Sequence, residues 1–269
     1  MGTVKTESTE KESEEDIKPF VSPSHKLKAT APLHWLKKGW EDFRHAPGYS
    51  LAYGIIMTLA SVFITYWSFR VGSITMVIVM LSGFIFIGPA LAMGLYSISC
   101  QLEKNNRVNF LACLRQGKKR IGNQMILTFV LLIVFLVWAR AASMSHIFFP
   151  MTGTELTSEL ITFYAIGSAV GSIFAVIIFC ATAFALPMIM DRDVDAITAM
   201  LTSFNAVLRN KPAMLVWALL IVLSLLIGFA TMFIGLMFFL PIIGHATWHG
   251  YRETIIADDW PQDAHTKLA

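Results

Sequence analysis

Five charge-free apolar stretches constrain this chain more than any other feature: Ala46–Phe69, Val71–Leu102, Ile121–Ala139, Leu160–Met190 and Pro212–Tyr251. An α-helix needs about 20 apolar residues to cross the roughly 30 Å hydrocarbon layer of a bilayer. A water-soluble core has no use for five such runs. Composition agrees, with 55% of the residues hydrophobic and only 14% charged, against about 25% charged in an average soluble domain. The sequence therefore predicts an all-α fold, a polytopic membrane helical bundle.

Run length sets the number of spans. As one helix, Pro212–Tyr251 would be about 60 Å long, twice the hydrocarbon thickness. It is expected to fold back on itself around Gly228–Gly235, where glycines relax the backbone. Six transmembrane helices are expected: Tyr49–Phe69, Gly72–Leu95, Gln124–Ser145, Ile161–Ile189, Ala213–Phe229 and Met232–His249. They group as three hairpins, each preceded by an interfacial amphipathic helix. The first such helix carries Leu33, Leu36, Trp40 and Phe43. The second carries Phe110, Leu111 and Leu114, and the third Ile197, Met200, Leu201, Phe204, Val207 and Leu208. Helices of this kind lie in the headgroup boundary, apolar face toward the acyl chains. Each return helix also contains a proline, at Pro89, Pro187 and Pro241; each removes a backbone donor and is expected to kink or end its helix. Three related units are the reading of this pattern.

Short cytoplasmic loops collect Lys and Arg. Lys26, Lys28, Lys37, Lys38 and Arg44 precede the first span. Lys104, Arg107, Arg115, Lys118, Lys119 and Arg120 lie between the second and third, and Arg192, Arg209 and Lys211 between the fourth and fifth. The alternate loops are nearly uncharged, so both termini are expected on the cytoplasmic side. Three domains follow: residues 1–30 as a disordered cytoplasmic tail, 31–252 as a six-span membrane domain, and 253–269 as a short C-terminal tail. The acid-rich start, with Glu12, Glu14, Glu15 and Asp16, has too little apolar surface to offset ordering entropy. It also lacks the apolar centre of a secretory signal.

The chemistry-bearing candidates are few. His245 and His249, at i and i+4, share a helix face, which is the spacing that lets two imidazoles converge on a metal. The plainer reading makes them interfacial polar residues beside Trp248 and Tyr251. Asp191, Asp193 and Asp195 could hold a cation, but Asp193 or Asp195 as the cap of the following helix is the simpler reading. Arg115, Lys118, Lys119 and Arg120 form the candidate contact for anionic headgroups or a partner. The three cysteines, Cys100, Cys113 and Cys180, make neither a disulfide framework nor a metal knuckle. A net charge of +3 gives no reason to expect nucleic acid, and no cofactor is implied. The apolar runs carry no Asp, Glu, Lys or Arg, which argues against ion-coupled transport, since such transporters hold ionisable relays in the membrane.

The stretch from Trp35 to Arg252 resembles a family of bacterial inner-membrane proteins catalogued as a domain of unknown function. The residues that carry the likeness are GW-x-DF at 39–43, GFIFIGPALAMGLYSIS at 83–99, PMIMDRDVDAITAM at 187–200 and GHATWHGYR at 244–252. The resemblance implies a six-span bacterial inner-membrane protein and no activity. The expected function is a non-enzymatic accessory, assembly or envelope-maintenance factor, with anionic lipid and a membrane protein complex as partners. Two alternatives stand beside it: a transporter or channel for lipid-like or small uncharged solutes, and a haem- or metal-binding subunit of a respiratory complex.

Overall fold

The computed structural model describes residues 20–72, 88, 91–104, 108–109, 121–148 and 158–262. Among them the only regular elements are helices: α1 (Ala31–His45), α2 (Pro47–Val71), α3 (91–103), α4 (Ile121–Phe148), α5 (Ser158–Thr182), α6 (Ala185–Asp191), α7 (Ala196–Arg209), α8 (Lys211–Ala230) and α9 (Leu236–Thr254). Among the described residues four segments are long and apolar enough to cross a membrane: Pro47–Arg70, Ile121–Ala141, Ala165–Asp191 and Lys211–Ala230. They coincide with four of the six expected spans. The span expected at 72–95 falls largely outside the described residues. The one expected at 232–249 is not among the four, because the apolar start of α9 gives way to His245, Thr247 and His249 within three turns. The turn expected at Gly228–Gly235 falls at 231–235, where Met232 and Phe233 adopt φ of 53° and 70°.

Proline sets several boundaries. Pro47 opens α2 and drives Ala46 out of the helical region, to φ −129° and ψ 55°, because its ring crowds the preceding residue. Pro187 acts four residues upstream. Its ring excludes the carbonyl of Ala183 and supplies no donor to it, and the chain breaks at Ala183–Phe184, between α5 and α6. The Ser203 hydroxyl mends the break: it donates to the Cys180 carbonyl at 2.8 Å and accepts from the Phe184 amide at 3.1 Å. Pro241 lies inside α9 and removes the donor that the Met237 carbonyl would otherwise receive. Gly54 of α2 closes on that carbonyl so tightly that a Cβ there would overlap it. Gly39 of α1 lets the backbone of α9 approach in the same way, at Ile242 and Ala246.

Helix α7 is inside out by the standards of a soluble protein. It buries small and polar residues (Thr198, Ala199, Thr202, Ser203 and Ala206) and exposes Ile197 at 54%, Leu201 at 39% and Leu208 at 48%. Water would penalise that arrangement; an acyl boundary rewards it. On α1, Leu33 and Trp40 are likewise exposed while Trp35, Asp42 and Phe43 are buried.

The core lies where α1, α3, α6 and α9 meet. Residues 93–101, 185–192 and 244–248 are buried without interruption. Trp35, Phe184, Met188, Trp217, Trp248 and Tyr251 fill the space between them, with Trp35 edge-on to Trp217 at 5.7 Å and to Phe184 at 6.2 Å. The segments before α1 and after α9 pack on the same core. The His25 amide donates to the Thr254 carbonyl, and the Ile256 amide to the Pro23 carbonyl. Ser22 bonds Thr202 and the Ile256 carbonyl, and Asn210 holds both Leu27 N and His25 O. Residues 22–27, expected to lie within the disordered tail, are instead fixed by hydrogen bonds that their composition does not announce. Trp260, beyond α9, is buried as well.

Candidate functional site

Helix α9 gathers the polar groups. His245 is fully buried, with Ser50 Oγ of α2 at 2.9 Å from Nε2 and Ser99 Oγ of α3 at 2.7 Å from Nδ1. One turn later, His249 Nε2 lies 2.8 Å from Asp42 Oδ2 of α1. Trp248 Nε1 donates to Glu103 at 3.0 Å, and Arg252 reaches the same carboxylate at 3.4 Å. Trp35 Nε1 donates to Glu253 at 2.9 Å.

A second knot forms around Asp191, at the end of α6. Its carboxylate accepts from Tyr251 Oη at 2.8 Å and from Arg192 Nε at 3.0 Å, with Arg252 Nη1 at 3.7 Å. Arg192 also donates to the Trp260 carbonyl at 2.9 Å. Burial, and then the negative charge of Asp191, push the Tyr251 phenol well above its ordinary value, so it remains a donor. Burial likewise pushes the Cys100 thiol up to about 12. A thiol held protonated is a poor nucleophile.

The cap expected at Asp193 or Asp195 falls on Asp195, which accepts from the Thr198 amide at 2.9 Å. Partial burial would raise this carboxyl. The amide and hydroxyl of Thr198, with the amides of Asp195 and Ile197, outweigh it and hold the group below the ordinary carboxylate value. A shallow groove of about 420 Å³ runs alongside, lined by Phe20, Asp193, Val194, Asp195, Ile197, Thr198 and Trp260.

The chemistry open to this arrangement is limited by access. A hydroxyl against an imidazole is half of a nucleophile–base pair. Here the second ring nitrogen meets another hydroxyl instead of an orienting carboxylate, and Ser50, Ser99 and His245 are all 0% exposed. The two histidines proposed as metal ligands share a helix face, as their spacing requires, yet each is engaged by different partners. Among the described residues no group of three or more His, Cys, Asp or Glu side chains is placed to hold a metal ion. Arg115, Lys118, Lys119 and Arg120 lie outside the described residues.

Sequence reasoning missed Asp42, Ser50, Ser99 and Glu103 as members of this hub. Ser50 carried no signal; for the other three it was position: Asp42 lies in the first segment of likeness, Ser99 closes the second and Glu103 follows it by four residues. All four segments of likeness converge here, since Gly39 and Asp42, Ser99, Asp191 and Arg192, and the 244–252 stretch meet in one core. No curated protein and no solved structure matches the chain. Residues 76–191, which contribute Ser99, Glu103 and Asp191 to the hub, match the family described as "Predicted integral membrane protein (DUF2189)", a family of unknown function.

Proposed function

We propose that this integral membrane protein is a non-enzymatic accessory, assembly or envelope-maintenance factor of a bacterial inner membrane. In this reading it spans the bilayer six times as three hairpins, and both termini are cytoplasmic. The observation that carries the reading is the closure of the hub. His245, Asp191 and Tyr251 bond to other helices and are at most 1% exposed, so the groups able to do chemistry hold the fold together instead of facing a substrate. The outward apolar stripe of α7 and the exposed Leu33 and Trp40 of α1 then serve as the working surfaces, toward lipid and toward a membrane partner.

The test is affinity purification of the full chain from native membranes in mild detergent, with quantitative mass spectrometry of what co-elutes. A stoichiometric membrane complex is the expected result. A chain that elutes with lipid alone removes the accessory role and directs work to solute flux in liposomes.

A further inference from the structure

Asn210, between α7 and α8, does more than end a helix. Its side chain is buried; Oδ1 accepts from the Leu27 amide at 2.8 Å and Nδ2 donates to the His25 carbonyl at 3.0 Å. Two segments 183 residues apart are thereby tied side by side. Lys26 and Lys28 flank the bonded residue on one segment, and Arg209 and Lys211 flank Asn210 on the other. One residue of chain on each side of a hydrogen bond keeps all four α-carbons within roughly 15 Å. All four residues are exposed. Among the described residues none of them has an ion pair. Glu253, at the end of α9 next to the Thr254 that pairs with His25, accepts from Trp35.

What lies beneath this cluster names its ligand. Lys211 starts α8, and Leu215, Leu219, Val222 and Leu226 follow it at i+4, i+8, i+11 and i+15. These positions make one stripe along a 3.6-residue helix, and all four are more than half exposed. Leu208, beside Arg209, is also exposed. Cations at the head of an outward apolar stripe match a molecule with a phosphate at one end and acyl chains below it. A free phosphate would make no use of the stripe.

We infer that Lys26, Lys28, Arg209 and Lys211, gathered by Asn210 at the head of the α8 leucine stripe, form a binding site for an anionic phospholipid. The site deepens the lipid-engaging reading above and rests on it. It draws on residues other than Arg115, Lys118, Lys119 and Arg120, since it is assembled from the segment before α1 and the junction of α7 with α8. Each cation near an anionic surface contributes about fivefold in affinity.

The experiment is native mass spectrometry of the full chain in detergent, titrated with phosphatidylglycerol and, separately, phosphatidylcholine. The wild type is expected to retain phosphatidylglycerol preferentially. Changing Lys26, Lys28, Arg209 and Lys211 together to Gln should lower that affinity roughly tenfold or more and leave phosphatidylcholine unaffected. Lys37→Gln, Lys38→Gln and Arg44→Gln on α1 should together cost less than about threefold. Asn210→Ala keeps all four cations but unties the segments, and should cost about fivefold. Equal losses from the α1 changes, or none from Asn210→Ala, would overturn the site in favour of diffuse surface charge. Displacement of the lipid by millimolar inorganic phosphate would overturn it in favour of a free-anion site. Absence of lipid preference in a wild type that still co-elutes with a stoichiometric partner removes the site and leaves the accessory role standing. Lipid preference without a partner does the reverse.

Discussion

An imidazole with a hydroxyl on each ring nitrogen is a satisfied group, and removing it leaves both hydroxyls to find new partners in a closed core. His245→Ala is therefore expected to cost about 2–4 kcal/mol, from the unpaired hydroxyls and the cavity together, read by denaturant unfolding in detergent. The lower end is favoured if Ser50 and Ser99 turn to their own helix carbonyls, as Ser61 and Ser224 do at 2.9 and 2.8 Å. Metal content measured on the same purified variant, combined with His249→Ala, should not change. Asp195→Ala should cost about 1 kcal/mol through loss of the α7 cap. The folded carboxyl of Asp195 titrates below its unfolded value, so its contribution is complete above the ordinary carboxylate value near 4. It is lost as pH falls through the depressed folded value, and the variant should show no such loss in that window. Which residues share a face was legible from spacing, as with His245 and His249. Their partners were not, because Ser50, Ser99 and Asp42 stand 195, 146 and 207 residues away.

At the scale of elements, one chemical change tests two sites. Gly48→Ala and Gly54→Ala both lie in α2 and both gain up to about 1 kcal/mol of helix propensity. A Cβ at Gly48 meets nothing within 4 Å, whereas one at Gly54 overlaps the Met237 carbonyl and approaches Pro241. Gly48→Ala should thus stabilise slightly, and Gly54→Ala should destabilise by about 1–3 kcal/mol as α2 is pushed from α9; melting temperatures in detergent report the opposite signs. The α7 stripe was legible in part: Ile197, Leu201 and Leu208 face outward, whereas Val207 is buried and Met200 and Phe204 pack on the core. Pro187 marked a break but not its place, which its ring sets four residues upstream. The ordered strap at residues 22–27 was not legible at all. Its polar composition reads as unfolded, and the groups that hold it, on Thr202, Asn210, Thr254 and Ile256, are all distant in the chain.

Across the whole molecule, apolar surface faces outward along α2, α4, α5 and α8, while polar groups converge on the end built by α1, α3, α6 and α9. That polarity predicts depth. A nitroxide at Leu201 should be more accessible to lipid-soluble oxygen than to a water-soluble nickel relaxant, and one at Lys26 should show the reverse order in the same liposomes. Four of the six expected spans were legible, because run length alone marks a membrane-capable helix. The dense core was not, because it is made of contacts among α1, α3, α6 and α9, which lie far apart in the chain. That dependence has a consequence in time. Synthesis proceeds at about 5–20 residues per second, so Ser50 and Asp42 are made roughly 10–40 s before the histidines of α9 that pair with them. Until then the nascent protein carries a half-made polar seam, a state that a protease can tell from the finished one.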